Sequence, residues 1–286
     1  MTDVERVGIV GCGLMGSGIA EVCALAERDV VVVESSRAAA DAGLERITRS
    51  LARAAAAGKL TAAQRDTAVG RIAMSTDLSR MADRDLVVEA VAEDERAKLE
   101  VFARLDRTVE RRDAVLATNT SSIPVIRLAA ATSRPQQVVG LHFFNPVPVL
   151  PLVELVPSLL TGEETVRRAR DFASEVLGKR VVRAQDRAGF IVNALLVPYL
   201  LAAVRMAESG AASAEDIDQG MTLGCAHPLG PLALADLIGL DTVQAIARSM
   251  YAEYREPLYA PPPLLARMVD AGLLGSKTGR GFHTYP

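Results

Sequence analysis

Three glycines near the start of the chain, Gly11, Gly13 and Gly16, have the spacing G-x-G-x-x-G. The motif follows an apolar run at residues 7–10 and precedes a stretch with few helix breakers at residues 14–25. This order predicts a buried strand that turns sharply into a helix. Gly11 allows the tight turn, Gly13 allows close approach of a ligand, and Gly16 allows close packing of helix on strand. The chain is therefore expected to begin with the strand–turn–helix unit of an α/β sheet.

The turn predicts a dinucleotide site, because a helix N-terminus offers unpaired N–H groups to a pyrophosphate. The first helical residues, Leu14 and Met15, belong to that cradle. A second apolar run, residues 30–33, ends at Glu34, and an acid about 20 residues after the glycines is placed to accept hydrogen bonds from the adenosine ribose. Its charge favours NAD over NADP, which would bring a phosphate. NADP is not excluded, since Ser-Ser-Arg follows at residues 35–37.

Apolar runs alternate with helical stretches through the first part of the chain, which predicts a doubly wound α/β domain. The predicted strands are residues 7–10, 30–33, 71–75, 86–91, 114–118, 138–142, 152–156 and 180–182. Beyond residue 189 the predicted segments are all helical: residues 190–209, 214–223, 232–253 and 263–271. We therefore expect a Rossmann-like domain at residues 1–186 and a helical domain at residues 187–286.

Composition excludes several classes of function. The net charge of −3 and the lack of a long basic run argue against nucleic-acid binding. The longest uncharged stretch, residues 188–204, contains Asn193 and Pro198 and is short for a membrane span, so a buried helix is expected. The three cysteines have no metal-ligand or disulfide spacing, and no secretory signal opens the chain. These features predict a cytoplasmic protein with no bound metal.

His142 and Glu154 are candidates for proton transfer. His142 ends an apolar run, which places it at the carboxyl end of a strand, where open α/β sheets bind ligands. Glu154 lies within another apolar run, residues 152–156, and a carboxylate there is costly unless it is paired. A carboxylate bound to an imidazole N–H would fix the tautomer and raise the basicity of the ring. The alternative is a core histidine and an edge-strand glutamate that are unrelated.

Five sequence strings resemble the L-3-hydroxyacyl-CoA dehydrogenase family, and within it the stand-alone bacterial 3-hydroxybutyryl-CoA dehydrogenases. They occur in the family's order and span nearly the whole chain: Asn-Thr-Ser-Ser at 119–122, His-Phe-Phe-Asn-Pro-Val-Pro at 142–148, Leu-Val-Glu at 152–154, Gly-Phe-Ile-Val-Asn at 189–193 and Gly-Arg-Gly-Phe at 279–282. The resemblance implies a Rossmann-like domain and a helical domain that forms a homodimer. It also implies NAD-dependent oxidation of a (3S)-3-hydroxyacyl-CoA substrate to the 3-oxoacyl-CoA.

The resemblance also assigns roles to individual residues. It makes His142 the catalytic base and Glu154 the acid that orients it. The remaining positions that it implies are Ser121 and Asn193 against the substrate oxygens, Glu93 and Lys98 beside the nicotinamide ribose, Asn119 at the cofactor, and Asn145 near the histidine.

Several of these residues have a structural alternative. Ser121 could cap the following helix, and Glu93 and Lys98 could lie on a solvated helix face. The family's CoA contacts lie in the segment that follows the second strand, where we expect a helix over residues 41–59. Ser50, Arg53 and Lys59 are candidates for contact with the CoA phosphates, and a solvated basic face is the alternative.

Other functions remain open from the sequence. One is a related dehydrogenase of a free hydroxy acid or sugar acid such as L-gulonate, and another is a non-catalytic, crystallin-like protein that binds a dinucleotide. A third is a fragment of a multifunctional β-oxidation enzyme. The presence of His142, Glu154, Ser121 and Asn193 argues against a non-catalytic protein, and we expect a stand-alone enzyme. Acyl chain length and physiological direction are not predicted.

Overall fold

One eight-stranded sheet organises the first part of the chain in the computed structural model, which describes residues 4–285. The strands are β1 Arg6–Val10, β2 Asp29–Val33, β3 Ile72–Ser75, β4 Leu86–Glu89, β5 Val115–Thr118, β6 Val138–Phe143, β7 Leu152–Pro157 and β8 Arg180–Arg183. Their order is β3-β2-β1-β4-β5-β6-β7-β8. All neighbours pair in parallel except β6 and β7, which are antiparallel.

Helices cover this sheet, and its central strands are buried and rich in valine, as expected of a parallel sheet. The helices are α1 Leu14–Leu25, α2 Arg37–Ala56, α3 Ala62–Gly70, α4 Glu95–Thr108, α5 Val125–Ala130 and α6 Glu163–Asp171, which continues as a π-helical turn at Phe172–Val176. Short 3₁₀ helices lie at Leu78–Met81 and Pro135–Gln137. The predicted Rossmann-like fold of the first domain is confirmed.

The predicted helix over residues 41–59 is wrong at both ends. Helix α2 begins at Arg37, because the Ser36 hydroxyl accepts a hydrogen bond from the Ala39 N–H and caps the helix. It ends at Ala56, and Gly58 follows with a φ of +70°. Lys59 therefore lies in a turn and not on the helix that carries Ser50 and Arg53.

The contact pattern divides the chain between Asp186 and Arg187. The second unit is helical, as predicted, with α7 Val192–Glu208, α8 Ala214–Cys225, α9 Pro231–Ile238, α10 Leu240–Tyr254 and α11 Pro263–Asp270, and with 3₁₀ helices at Pro257–Tyr259 and Ser276–Thr278. Its core is aliphatic and is built around α7 and α10. No helix within residues 4–285 is long and apolar enough to cross a membrane.

The predicted single helix over residues 232–253 is wrong. Gly239 interrupts it with a φ of +101°, which separates α9 from α10. An L residue rarely adopts this backbone conformation, so glycine is needed at the junction. The sequence contains this glycine, but a single glycine within a long apolar helical pattern does not by itself reveal a break.

Candidate active site

The glycine loop has the geometry that its spacing predicts. Gly11 has a φ of +91°, and a Cβ on it would lie 2.7 Å from the Ala90 carbonyl oxygen. A Cβ on Gly16 would lie 1.9 Å from the Gly11 carbonyl oxygen, so only glycine lets α1 pack this closely on the turn. Gly13 has no heavy atom within 4 Å of an added Cβ. It leaves an open cradle at the start of α1, whose cap position makes no side-chain hydrogen bond.

This cradle fits a pyrophosphate. The N–H groups in the first turn of α1, at Leu14 and Met15, have no partner within the helix and carry its positive dipole end. Ser17 is the first residue whose N–H is bonded within the helix, to the Gly13 carbonyl at 3.0 Å. Binding of a nucleotide at these residues remains a prediction.

Glu34 lies at the end of β2 and is bonded to the glycine loop. One carboxylate oxygen accepts the Cys12 N–H at 2.5 Å, and the other accepts the Ser35 N–H at 3.0 Å. On the other side of the loop, Arg46 donates to the Cys12 carbonyl at 3.1 Å. Each carboxylate oxygen has two lone pairs, so Glu34 can still accept from a ribose hydroxyl. The sequence did not reveal that the same side chain also braces the loop.

His142 and Glu154 form a buried pair. Antiparallel pairing of β6 and β7 sets the two residues directly opposite each other, and Nδ1 of His142 lies 2.7 Å from Oε2 of Glu154. His142 is 6% exposed and Glu154 is fully buried. The Phe144 ring lies 4.6 Å from the imidazole, between ring centroids. The alternative in which the two residues are unrelated is therefore wrong.

Asn119 and Ser121 follow β5, next to the strand that carries His142. The Asn119 side-chain oxygen accepts the Phe143 N–H at 2.9 Å and so holds the end of β6. The Ser121 N–H and hydroxyl both donate to Oε1 of Glu93, at 2.8 and 3.2 Å. Ser121 does not cap α5. The first N–H groups of that helix are bound instead by the carboxylate of Asp186, at 2.7 and 2.8 Å.

Lys98 is buried, so the alternative that placed it on a solvated helix face is wrong. Its ammonium lies 2.6 Å from Oε1 of Glu89 and 3.3 Å from Oε2 of Glu93. Glu89 is also buried, and it accepts from the Thr118 hydroxyl at 2.7 Å. Burial alone would raise the pKa of Glu93. The charge of Lys98 and hydrogen bonds from Thr120 and Ser121 outweigh this effect and hold that pKa below its usual value.

Asn145 is exposed in the loop that joins β6 to β7, and a cis peptide bond links it to Pro146. Lys179 stabilises this loop by donating hydrogen bonds to the carbonyls of Val147 and Leu150 at 2.6 and 2.8 Å. Burial lowers the pKa of Lys179. No sequence pattern predicts that Lys179, directly before β8, supports the loop between the strands of His142 and Glu154.

The three candidate CoA contacts differ in their surroundings. Ser50 on α2 bonds to Glu21 of α1, a nearly buried carboxylate whose pKa is raised by burial against the effects of Ser50 and Arg53. Arg53 and Lys59 are exposed. Contact with CoA stays a prediction for all three residues.

Asn193 lies in the first turn of α7, in the helical unit, and is 9% exposed. Its proposed position against the substrate stays a prediction. Within residues 4–285, no three His, Cys, Asp or Glu side chains form a group that could hold a metal ion.

Comparison with known proteins identifies the class. Residues 6–187 match the family described as 3-hydroxyacyl-CoA dehydrogenase, NAD binding domain, and residues 189–285 match the C-terminal domain of the same family. The chain therefore belongs to the 3-hydroxyacyl-CoA dehydrogenase family, which confirms the resemblance in its sequence.

Individual relatives are similar along their full length. A 3-hydroxybutyryl-CoA dehydrogenase of Mycobacterium tuberculosis is 60% identical, with all of both chains covered. The human mitochondrial hydroxyacyl-coenzyme A dehydrogenase is 42% identical over 99% of this chain and 91% of its own. The crystal structure of an (S)-3-hydroxybutyryl-CoA dehydrogenase from Ralstonia eutropha has a TM-score of 0.93 at 43% identity, covering 99% of this chain and all of that one.

Proposed function

We propose that the protein catalyses the reversible, NAD-dependent oxidation of a (3S)-3-hydroxyacyl-CoA, with 3-hydroxybutyryl-CoA as its main substrate, to the 3-oxoacyl-CoA. The buried His142–Glu154 pair is the observation that carries this proposal. The names of the bacterial relatives support the short acyl chain.

His142 acts as the general base. The Nδ1–H of His142 donates a hydrogen bond to Glu154, so the lone pair of the neutral imidazole lies on Nε2. Nε2 takes the proton of the substrate's 3-hydroxyl group, and the Glu154 carboxylate stabilises the resulting imidazolium. In the reverse direction, Nε2 returns that proton to the 3-oxo oxygen. General-base assistance of this kind contributes about 10²–10⁴ in rate.

The residues of the glycine loop and Glu34 would hold NAD, which supplies the acceptor for the hydride from C3 when it is bound. The open cradle at Gly13 and the N-terminus of α1 suit the pyrophosphate. Glu34 at the end of β2 suits the ribose hydroxyls and disfavours the additional phosphate of NADP. Glu93, Lys98 and Asn119 would line the nicotinamide side.

Substrate positioning falls to a few polar side chains. We assign the substrate oxygens to Ser121 and Asn193, with Asn145 near the histidine. Ser50, Arg53 and Lys59 are assigned to the CoA phosphates.

The helical unit would form a homodimer. It exposes large apolar side chains on several helices, including Leu195, Leu223 and Leu237, and such surface is usually covered by a partner. A light-scattering mass of one chain at micromolar concentration would exclude this assembly.

Acetoacetyl-CoA and free acetoacetate, each assayed with NADH, test the proposed function directly. We expect rapid NADH oxidation with acetoacetyl-CoA and none with free acetoacetate. The rate with longer 3-oxoacyl-CoA thioesters should be lower than with acetoacetyl-CoA. A preference for the free acid would overturn the CoA assignment, whereas NADH binding without turnover of either compound would identify a non-catalytic protein.

A further inference from the structure

Glu89 is a fully buried carboxylate to which the proposed mechanism gives no role. It ends β4, and its strand neighbours in the sheet register are Val10 of β1 and Thr118 of β5. Val10 directly precedes the glycine turn, and Thr118 directly precedes the segment that contains Asn119 and Ser121. Glu89 therefore lies between the predicted cofactor loop and the predicted substrate contacts.

Three charged groups meet at this point. The Lys98 ammonium lies 2.6 Å from Glu89 and 3.3 Å from Glu93, and both Lys98 and Glu89 are almost completely inaccessible to solvent. Glu89 also accepts hydrogen bonds from the Val91 N–H at 2.8 Å and from the Thr118 hydroxyl at 2.7 Å. Two carboxylates and one ammonium leave one net negative charge. We call Glu89, Lys98 and Glu93 the acidic triad.

The order of the strands places the triad on the nicotinamide side of the site. A dinucleotide with its pyrophosphate on the loop after β1 and its adenosine ribose at Glu34 after β2 extends its other half away from β2. Strands β4 and β5 lie in that direction in the sheet, and His142 lies beyond them on β6. Glu89 ends β4, Glu93 lies in the loop that follows, and Lys98 lies on α4 and contacts both carboxylates.

We propose that the acidic triad sets the relative affinity of the protein for the oxidised and reduced cofactor. This inference rests on the dinucleotide binding in the proposed function. The oxidised nicotinamide ring carries a positive charge, and the reduced ring is neutral. A net negative charge on this side of the site attracts only the former. Its screening by salt is limited because Glu89 and Lys98 are buried and the Glu93 side chain is 32% exposed. The triad thereby favours the binding of NAD⁺ over the binding of NADH.

Charge substitutions test the proposal through two dissociation constants, for NAD⁺ and for NADH, measured by calorimetry and by NADH fluorescence. Glu89→Gln preserves the shape of the side chain and makes the triad neutral. Its amide oxygen can still accept from Lys98 and Val91, and its NH2 group then faces the Thr118 hydroxyl, whose oxygen can accept from it. We expect it to weaken NAD⁺ binding about tenfold more than NADH binding. The double variant Glu89→Gln/Lys98→Met restores one net negative charge, and its ratio of dissociation constants is expected to return to within about threefold of the wild type.

Asp85→Asn is the matched control. Asp85 is also buried, precedes the same strand at its opposite end, and accepts the Glu5 and Arg6 N–H groups at 2.9 and 2.7 Å. We expect this variant to lose stability without a change in the ratio. If Glu89→Gln fails to fold, Glu93→Gln removes the same charge from a more exposed position and should move the ratio in the same direction.

An unchanged ratio in the neutralised variants would overturn the proposal, as would a ratio that the double variant fails to restore. The ratio separates a charge effect from a structural one, because a distorted site weakens both cofactors alike. If the wild type reduces acetoacetyl-CoA and the ratio does not respond, only this inference fails. If the wild type binds both cofactors but turns over no acyl-CoA, the proposed function fails. The ratio of the two dissociation constants still tests the inference in that case.

Discussion

Removing the charge of Glu154 should slow the oxidation of the hydroxyacyl substrate by a predictable factor. Oε2 of Glu154 lies 2.7 Å from Nδ1 of His142, with both side chains buried. For charge centres about 4 Å apart and an effective dielectric constant of about 20, the carboxylate stabilises an imidazolium by about 4 kcal/mol. In Glu154→Gln the amide oxygen still accepts a hydrogen bond, worth about 1 kcal/mol. The net loss of about 3 kcal/mol corresponds to a kcat reduced about 100-fold.

The assay for this prediction is the initial rate of NADH formation from (3S)-3-hydroxybutyryl-CoA at saturating NAD⁺. The oxidation direction is the informative one, because the imidazolium forms there as the proton is transferred. Glu154→Asp serves as the matched variant: it keeps the charge, lengthens the hydrogen bond and should lose only about tenfold. NADH affinity and cooperative unfolding serve as controls. A folded Glu154→Gln variant with kcat within about threefold of the wild type would refute the role of Glu154, as would an aspartate variant no better than glutamine.

Three further predictions follow from the loops around the site. Gly16→Ala should destabilise the fold by about 1–3 kcal/mol, because its Cβ would lie 1.9 Å from the Gly11 carbonyl oxygen. Gly13→Ala has open space around its Cβ, so it should be as stable as the wild type and lose NADH affinity. Equal melting temperatures for the two variants would contradict this prediction. Glu34→Ala should reduce the preference in kcat/KM for NAD over NADP at least about tenfold, and side-by-side kinetics with an unaltered preference would exclude Glu34 as the ribose contact. Lys179→Met should lower the free energy of unfolding by about 2 kcal/mol, because the carbonyls of Val147 and Leu150 lose their donor. Denaturant titration measures this free energy. A stability equal to that of the wild type would show that the two Lys179 hydrogen bonds do not stabilise the loop.

Local patterns in the sequence were sufficient to predict the glycine turn and the domain order. Glycine is required at positions 11 and 16 by atoms close to the turn, which include the Gly11 carbonyl itself. The spacing of the glycines was therefore enough to predict the turn. Pairing of His142 with Glu154 was only one of two open interpretations. It depends on the antiparallel return of β7 along β6, and a one-residue shift in register would turn Glu154 to the other face of the sheet.

Lys98 illustrates why a polar sequence context misleads. Its neighbours in α4 are mostly charged, which is typical of an exposed face, yet its side chain is 1% exposed. The reason is its partner Glu89, which lies on a preceding strand and approaches the helix only in the folded sheet. A lysine can be buried when its charge is paired and its stem packs against apolar groups. Helical periodicity contains no information about such a partner.

Three glutamates end or interrupt buried strands in this chain, and their comparison explains the gap in the sequence prediction. Glu34 was recognised through its spacing from the glycines, and Glu154 through the nearby histidine. Glu89 ends an apolar run in the same way, but it belongs to no recognised sequence motif. All three prove to be bound, to the Cys12 N–H, to His142 and to Lys98 respectively. Since an unpaired carboxylate in such a strand would be strongly destabilising, its presence alone predicts a partner nearby. The identity of that partner requires the sheet order, which here places Glu89 between the glycine loop and the segment that contains Ser121.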